Sequence, residues 1–281
     1  MTDFQAARFG RLCREIMVEG HTSGEAGIGT LAEKRLHAVI KRYLCEDEDC
    51  HEVGVLNTRF VSDVRIGNEI YEVQTGSFYP MKKKIAHYLE KTDCTVTVVH
   101  PIPARKWVSW IDPKTNEIAS RTHSTKRGRA EDLLPELYHL LPHLGNPRLR
   151  FRVLLLEAED FRWLNGWSRD RKRGSERYER IPLALLDDIE FNCPDDFAAL
   201  LPDALPQHFA VKDFSKHTKI RGRDAYSAVR ALAALGILGE GESIGRSMGW
   251  VRCIEAPNGV SVPALPDTKQ QKQTKNKRKR K

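Results

Sequence analysis

Two β-rich runs, Phe60-Val61-Ser62-Asp63-Val64-Arg65-Ile66 and Glu69-Ile70-Tyr71-Glu72-Val73-Gln74, flank a Gly67-Asn68 pair. A two-residue link of this kind between β-rich runs predicts a hairpin. With Gly67 and Asn68 as the loop, Ile66 pairs with Glu69, Asp63 falls opposite Glu72, and Val61 faces Gln74. Upstream, Leu36, Val39, Ile40, Tyr43 and Leu44 recur at helical spacing behind Gly27-Ile28-Gly29-Thr30. Downstream, Phe78, Met81, Ile85 and Tyr88 or Leu89 form the inward stripe of another helix, and Lys82, Lys83 and Lys84 fall beside or opposite it. A β-run over 95–99 is predicted to stop at Pro101 and Pro103, with a second run over 106–111 ending in the turn 112–116. Residues 121–129 read as a basic loop, the leucines from 133 to 141 as a helix, and 149–156 as a further strand.

From about Asp195 the pattern changes to short helices. One is predicted over 211–218 and an Ala-rich one over 223–235 with Gly236 as its C-cap, followed by short β-runs near 237–238 and 250–254. Helix, turn, helix and hairpin in that order resemble a winged helix. That resemblance places Arg221, Arg223, Tyr226 and Arg230 at the start and outer face of a recognition helix on DNA. Winged helices also dock proteins, and that alternative stands beside the first. Between the two regions lies the most basic folded stretch, 167–180, including Arg171, Lys172 and Arg173. Its arginines, with Trp and Tyr interleaved, suit gripping of a nucleic-acid backbone, or else pair with the neighbouring acids as a surface loop.

Carboxylates directly opposed on one face of a hairpin have Cβ atoms roughly 4.5–5.5 Å apart and repel each other unless a positive group lies between them. A divalent cation would meet that need at Asp63 and Glu72. The arrangement, Ser62-Asp63 followed after eight residues by Glu72-Val73-Gln74, resembles the PD-(D/E)xK nuclease superfamily, with Gln74 at the place of the usual Lys. The resemblance covers about residues 28–112 and implies an α/β fold, a restriction-endonuclease-like mixed sheet flanked by helices. It implies a catalytic set of Glu33, Asp63, Glu72 and Gln74, with Mg²⁺ (or Mn²⁺) held by Asp63, Glu72 and Glu33. Thr30 and Glu33 also have the spacing of a capping box, in which Glu33 would serve only the helix start. Gln74 can orient water but cannot act as a base, and a lysine of the 82–84 run could substitute. Lys82 and Lys83 otherwise face solvent or phosphate. The chain is also similar to a group of uncharacterised bacterial proteins that share the motif, a Leu-Asn-Gly-Trp-Ser stretch and a helix-turn-helix tail. The expected function is a divalent-metal-dependent DNA endonuclease or nuclease-like DNA-processing protein. The alternative is a catalytically degenerate nuclease-fold protein that binds DNA or regulates.

A chain of 281 residues suggests two folded regions, 1–190 and 191–262, before a basic tail over 263–281. Eight of the 46 Lys and Arg residues fall between 269 and 281 with no acid among them, so the remainder balances the 38 Asp and Glu. The net charge of +8 therefore resides in the tail, which would add salt-sensitive, sequence-independent phosphate contacts. The expected partner is DNA, duplex ahead of single strand, with a homodimer allowed. No apolar run is long enough for a membrane span, and Met1-Thr2-Asp3-Phe4 lacks the layout of a signal peptide, so a cytoplasmic protein is expected. Six scattered cysteines argue for reduced thiols, and Cys45, Cys50 and His51 lack the second pair that a zinc site requires.

Overall fold

The structure, a computed structural model, describes residues 1–22, 32–56, 58–165 and 176–253, the side chains of 19–22, 32–34 and 176 excepted. Helices α1 (Asp3–Thr22) and α2 (Ala32–Leu44) precede an antiparallel meander of β1 (His51–Gly54), β2 (Val61–Ile66) and β3 (Glu69–Val73). Helix α3 (Lys82–Lys91) crosses to β4 (Thr95–Ile111), which lies parallel to β3 with Val98 beside Glu72. Strand β5 (Ile118–His123) returns along the far half of β4. A helical run containing the single α-turn α4 (Leu134–Leu137) leads to β6 (Leu149–Trp163), parallel to β4, and β7 (Glu176–Phe191) pairs antiparallel with β6. The sheet order is β1-β2-β3-β4-β6-β7, a large mixed sheet flanked by helices.

Helices α1 and α2 cover one face of the sheet, burying Phe9, Leu36, Val39 and Ile40 against Val73, Val99, Leu154 and Leu185. On the other face, Ile70, Val96, Val98 and Phe151 pack against Phe78, Ile85 and Tyr88 around α3 and against Leu133, Leu134 and Leu137. This core continues without a break into the C-terminal elements. Those are β8 (His208–Ala210), α5 (Val211–Thr218), α6 (Arg223–Ala234), β9 (Leu238–Ile244) and β10 (Ser247–Arg252), with a small sheet ordered β8-β10-β9. Helix α6 packs on α4, and the small side chains Ala225, Ala228 and Ala231 are all fully buried. The Arg129 side chain also donates to the Thr218 carbonyl at the end of α5.

Four expectations about elements need correction. The basic loop expected over 121–129 begins as strand, since β5 runs through His123 with Arg121 paired to Ser109. Strand β4 does not stop at Pro101 and Pro103 but runs through both for 17 residues. Val99 accepts from the Gln74 amide, so its polar groups point toward β3, and alternate residues 101 and 103 point the same way. Strand β3 has ended there, so the missing proline N–H groups face a side with no ladder to break. The vacated side is met by Gly128, whose amide donates to Pro103 O at 3.0 Å. The helix expected through Leu133 and Leu141 is instead broken 3-10 and α turns, with Pro135 at its first positions and Pro142 inside. Finally, the C-terminal hairpin is longer than the short runs anticipated, turning at Gly245 with φ 64°, and gains β8 as a third strand.

Candidate active site

The hairpin has the register expected from its loop. Ile66 pairs with Glu69, Arg65 with Ile70 and Val64 with Tyr71, and Gly67 takes φ 58°, a conformation glycine adopts without strain. Counting on, Asp63 stands across from Glu72. Here the side chain replaces the ladder, because Asp63 Oδ2 accepts the Val73 amide at 2.7 Å. Asp63 is thereby tied to the strand that carries Glu72.

Glu72 is 3% exposed and points toward α3. Its Oε2 meets Lys84 Nζ at 2.5 Å, and its Oε1 accepts from the Tyr88 hydroxyl at 3.1 Å. Lys84 and Tyr88 are four residues apart, adjacent on one helix face. Burial pushes the Glu72 carboxyl up to about 7, the Asp63 charge adds to the push, and Lys84 and Tyr88 restrain it. Burial, followed by the charge of Glu72, also drives the Tyr88 hydroxyl upward, so Tyr88 acts here as a donor. The pair of carboxylates therefore has too little compensating charge even with one ammonium beside it.

Gln74 lies just beyond β3 and is held by its own loop. Its Nε2 donates to Ser77 O at 2.8 Å, its amide donates to Val99, and its carbonyl accepts from His100 Nδ1 at 2.6 Å. Burial lowers the His100 pKa, which keeps that ring neutral. The expected set is thus brought together at Asp63, Glu72 and the start of the loop at Gln74. Glu33 belongs to the first turn of α2, and its side chain and Thr30 lie outside the described residues. Nearby on that helix, Arg35 contacts Glu179 of β7 at 3.3 Å, whereas Lys41 contacts Glu52 of β1 at 2.7 Å. The helix therefore starts over β7 and ends beside the hairpin.

Two residues were not singled out from the sequence. Tyr88 appeared only as a core position, and nothing local announced that its hydroxyl reaches Glu72. Glu52 falls beside Asp63 in the β1–β2 register, since His51 pairs with Val64 and Val53 with Ser62. Its carboxyl is held below the usual range first by the hydrogen bond from Lys41, with Lys84 adding to the effect. The alternation in His51-Glu52-Val53 could have marked it. Among the described residues, no group of three or more His, Cys, Asp or Glu side chains is placed to hold a metal ion. All six cysteines are free thiols.

Of the predicted nucleic-acid contacts, Lys82 and Lys83 are exposed at the start of α3, beside the inward-turned Lys84. Arg171, Lys172, Arg173 and the tail from 263 lie outside the described residues. Arg221, Arg223 and Tyr226 are exposed, and Arg230 approaches Glu240 at 3.9 Å. The rest of α6 is largely committed to packing, which leaves a narrow strip through Arg223, Tyr226 and Arg230.

Residues 34–192 match the family described as a domain of unknown function, DUF8091, which covers more than half of the 281 residues and runs from α2 to the end of β7. No curated protein and no solved structure matches the chain.

Proposed function

The chain belongs to the DUF8091 family, and we propose that it is a divalent-metal-dependent phosphodiester hydrolase acting on DNA, with Lys84 doing what the motif lysine does in PD-(D/E)xK nucleases. The observation that carries this reading is the contact of Lys84 Nζ with Glu72 Oε2 at 2.5 Å, on the sheet face that Asp63 shares. The order of elements supports it: a helix, a three-stranded antiparallel meander, a crossover helix and a parallel fourth strand, as the superfamily's core requires.

The residues present fit a hard cation. Asp63 and Glu72 offer only oxygen donors, and their mutual repulsion helps raise Glu72 to about 7, a cost that a bound cation would remove. Mg²⁺ is commonly held by one or two carboxylates, with waters and substrate phosphates completing its shell, so Asp63 and Glu72 would suffice. When bound, such an ion supplies charge neutralisation at the phosphate and a more acidic water. The protein's own groups do the rest. Asp63 is fixed by the Val73 amide, so its second oxygen is presented without rotamer search. Lys84 can hydrogen-bond an incoming water or a phosphate oxygen when it leaves Glu72, and can stabilise negative charge that develops there. Tyr88 holds the inner oxygen of Glu72, and Gln74, fastened to Ser77, shapes the loop at the site's edge. Lys82 and Lys83 would meet the DNA backbone as α3 approaches it.

The C-terminal unit has the helix, turn, helix and hairpin order of a winged helix. In this reading it contributes Arg223, Tyr226 and Arg230 as a narrow contact strip, since the inner faces of α6 are occupied by α4 and the module's own core. A second reading is a nuclease-fold DNA-binding protein without hydrolysis, favoured by the engagement of both Glu72 oxygens by protein groups.

Nicking of supercoiled DNA by wild type and Glu72→Gln in Mg²⁺ or Mn²⁺ tests the proposal. Metal-dependent nicking by wild type, lost in the variant, is expected. Tight DNA binding without any cleavage would favour the second reading.

A further inference from the structure

The turn from β3 into α3 is held from outside. Neither the 3-10 turn Tyr79–Met81 nor α3 has a side-chain cap of its own, although Lys84 lies in the first turn of α3. A helix start without a cap leaves amides unpartnered and is free to fray. Ile85, Tyr88 and Leu89 bury one face of α3 against the sheet, but the path of the chain into its first turn is left to other groups.

Two such groups come from elements far away in sequence. The parallel ladder ends where Val73 pairs with Val99, so the Gln74 carbonyl has no strand partner, and His100 Nδ1 supplies one at 2.6 Å. A carbonyl only accepts, so Nδ1 carries the proton of the ring. Burial keeps that ring neutral against the pull of the neighbouring acids Glu136 and Asp132. Four residues on from Gln74, Oε2 of Glu136 in α4 accepts the Phe78 amide at 2.9 Å and so serves as the missing cap. The Phe78 ring is fully buried and meets the His100 ring edge-on, with centroids 5.1 Å apart. The turn is therefore fastened at both of its ends, at Gln74 and at Phe78, before the chain reaches Lys84.

We infer that His100 and Glu136 are positioning residues for the Lys84 ammonium: by holding the Gln74 carbonyl and the Phe78 amide, they set the first turn of α3 so that Lys84 reaches Glu72. Both act through the backbone of the turn. Loss of either leaves a backbone group without a partner and lets the turn shift to find one. The inference rests on Lys84 being the working lysine of the site, as proposed above, but the arrangement it describes needs neither metal nor DNA.

Hydrogen exchange of the Lys84 ammonium, followed by proton–nitrogen NMR of the full chain in EDTA, tests this, with Lys84→Met identifying the signal. His100→Asn keeps a nitrogen at the δ position and gives up the ring, whereas His100→Phe keeps a ring and gives up the donor. Glu136→Gln keeps an acceptor for the Phe78 amide and Glu136→Met removes it, a second pair should the His100 variants unfold. We expect slow exchange in wild type, about tenfold faster exchange in His100→Phe and Glu136→Met, and exchange within about twofold of wild type in His100→Asn and Glu136→Gln. Each residue stands or falls by its own pair. A purely structural role for His100 reverses the first pair, since the ring is what packs against Phe78. That reversal, wild-type exchange in His100→Phe and Glu136→Met, or a Lys84 ammonium that exchanges freely in wild type overturns the inference. Failure to cleave DNA would count against the proposed function alone, because the exchange measurement uses neither metal nor substrate.

Discussion

Lys84 Nζ sits 2.5 Å from Glu72 Oε2, twelve residues away in sequence and joined to it across the turn from β3 into α3. The contact places an ammonium on the same carboxylate that the motif lysine would approach from the strand, two residues on. Gln74, two residues on from Glu72, is instead fastened to Ser77 just beyond the strand.

The pH dependence of stability follows from the burial of Glu72. In metal-free solution its carboxyl is raised from its ordinary 4.5 to about 7, so the folded state binds the proton more tightly than the unfolded chain. The resulting stabilisation is complete below about pH 4.5 and is lost as the pH rises through about 7. Glu72→Gln has no such titration. Urea unfolding in EDTA from about pH 4.5 to about pH 8 should therefore show wild type losing roughly 3 kcal/mol relative to the variant. A difference that stays constant across the range would rule out the strained carboxylate.

Metal binding should require both acids. Asp63→Asn and Glu72→Gln each remove one charged oxygen donor, and calorimetry with Mn²⁺ should detect binding to wild type and none to either variant. Unchanged binding in both would place the ion elsewhere.

The passage of β4 through two prolines depends on Gly128. A Cβ at that position would meet Ile102 Cγ2 and lie 2.8 Å from Pro103 O, so Gly128→Ala must shift the strand or the loop. A loss of about 1–3 kcal/mol in unfolding free energy is expected, with Mn²⁺ affinity unaltered because Asp63 and Glu72 lie on other strands.

What could be read in the sequence was what depends on near neighbours. Gly67-Asn68 and the alternation around it determine the register that sets Asp63 opposite Glu72, and the apolar spacing of Phe78, Met81, Ile85, Tyr88 and Leu89 matches the buried face of the helix. The same stripe left Lys82, Lys83 and Lys84 equivalent, and only the distance from α3 to β3 selects Lys84. The path of β4 was not legible because the tolerance of Pro101 and Pro103 depends on where β3 ends. The packing of Ala225, Ala228 and Ala231 in the interior, with α6 laid on α4, likewise depends on distant residues, although an Ala-rich helix is what close packing needs.

The tail and α6 should contribute differently to DNA affinity. Deleting residues 268–281 should weaken binding equally for all sequences and make the dependence of log K on log salt shallower. Arg223→Ala with Arg230→Ala should instead reduce discrimination between sequences, by about 1–3 kcal/mol for each arginine that pairs bidentately with a base edge. Filter binding at several salt concentrations separates the two, and equal discrimination before and after the double substitution would leave the α6 strip with backbone contacts only.

The most direct test of the role given to Lys84 is the rate of Mn²⁺-dependent cleavage of supercoiled DNA by Lys84→Met and by the double variant Lys84→Met, Gln74→Lys. Removing the ammonium should slow cleavage by about 10²-fold or more, as loss of a positioned proton-transfer or charge-stabilising group does. Supplying a lysine from the strand should restore at least about tenfold of that. Cleavage by Lys84→Met at the wild-type rate would contradict the account.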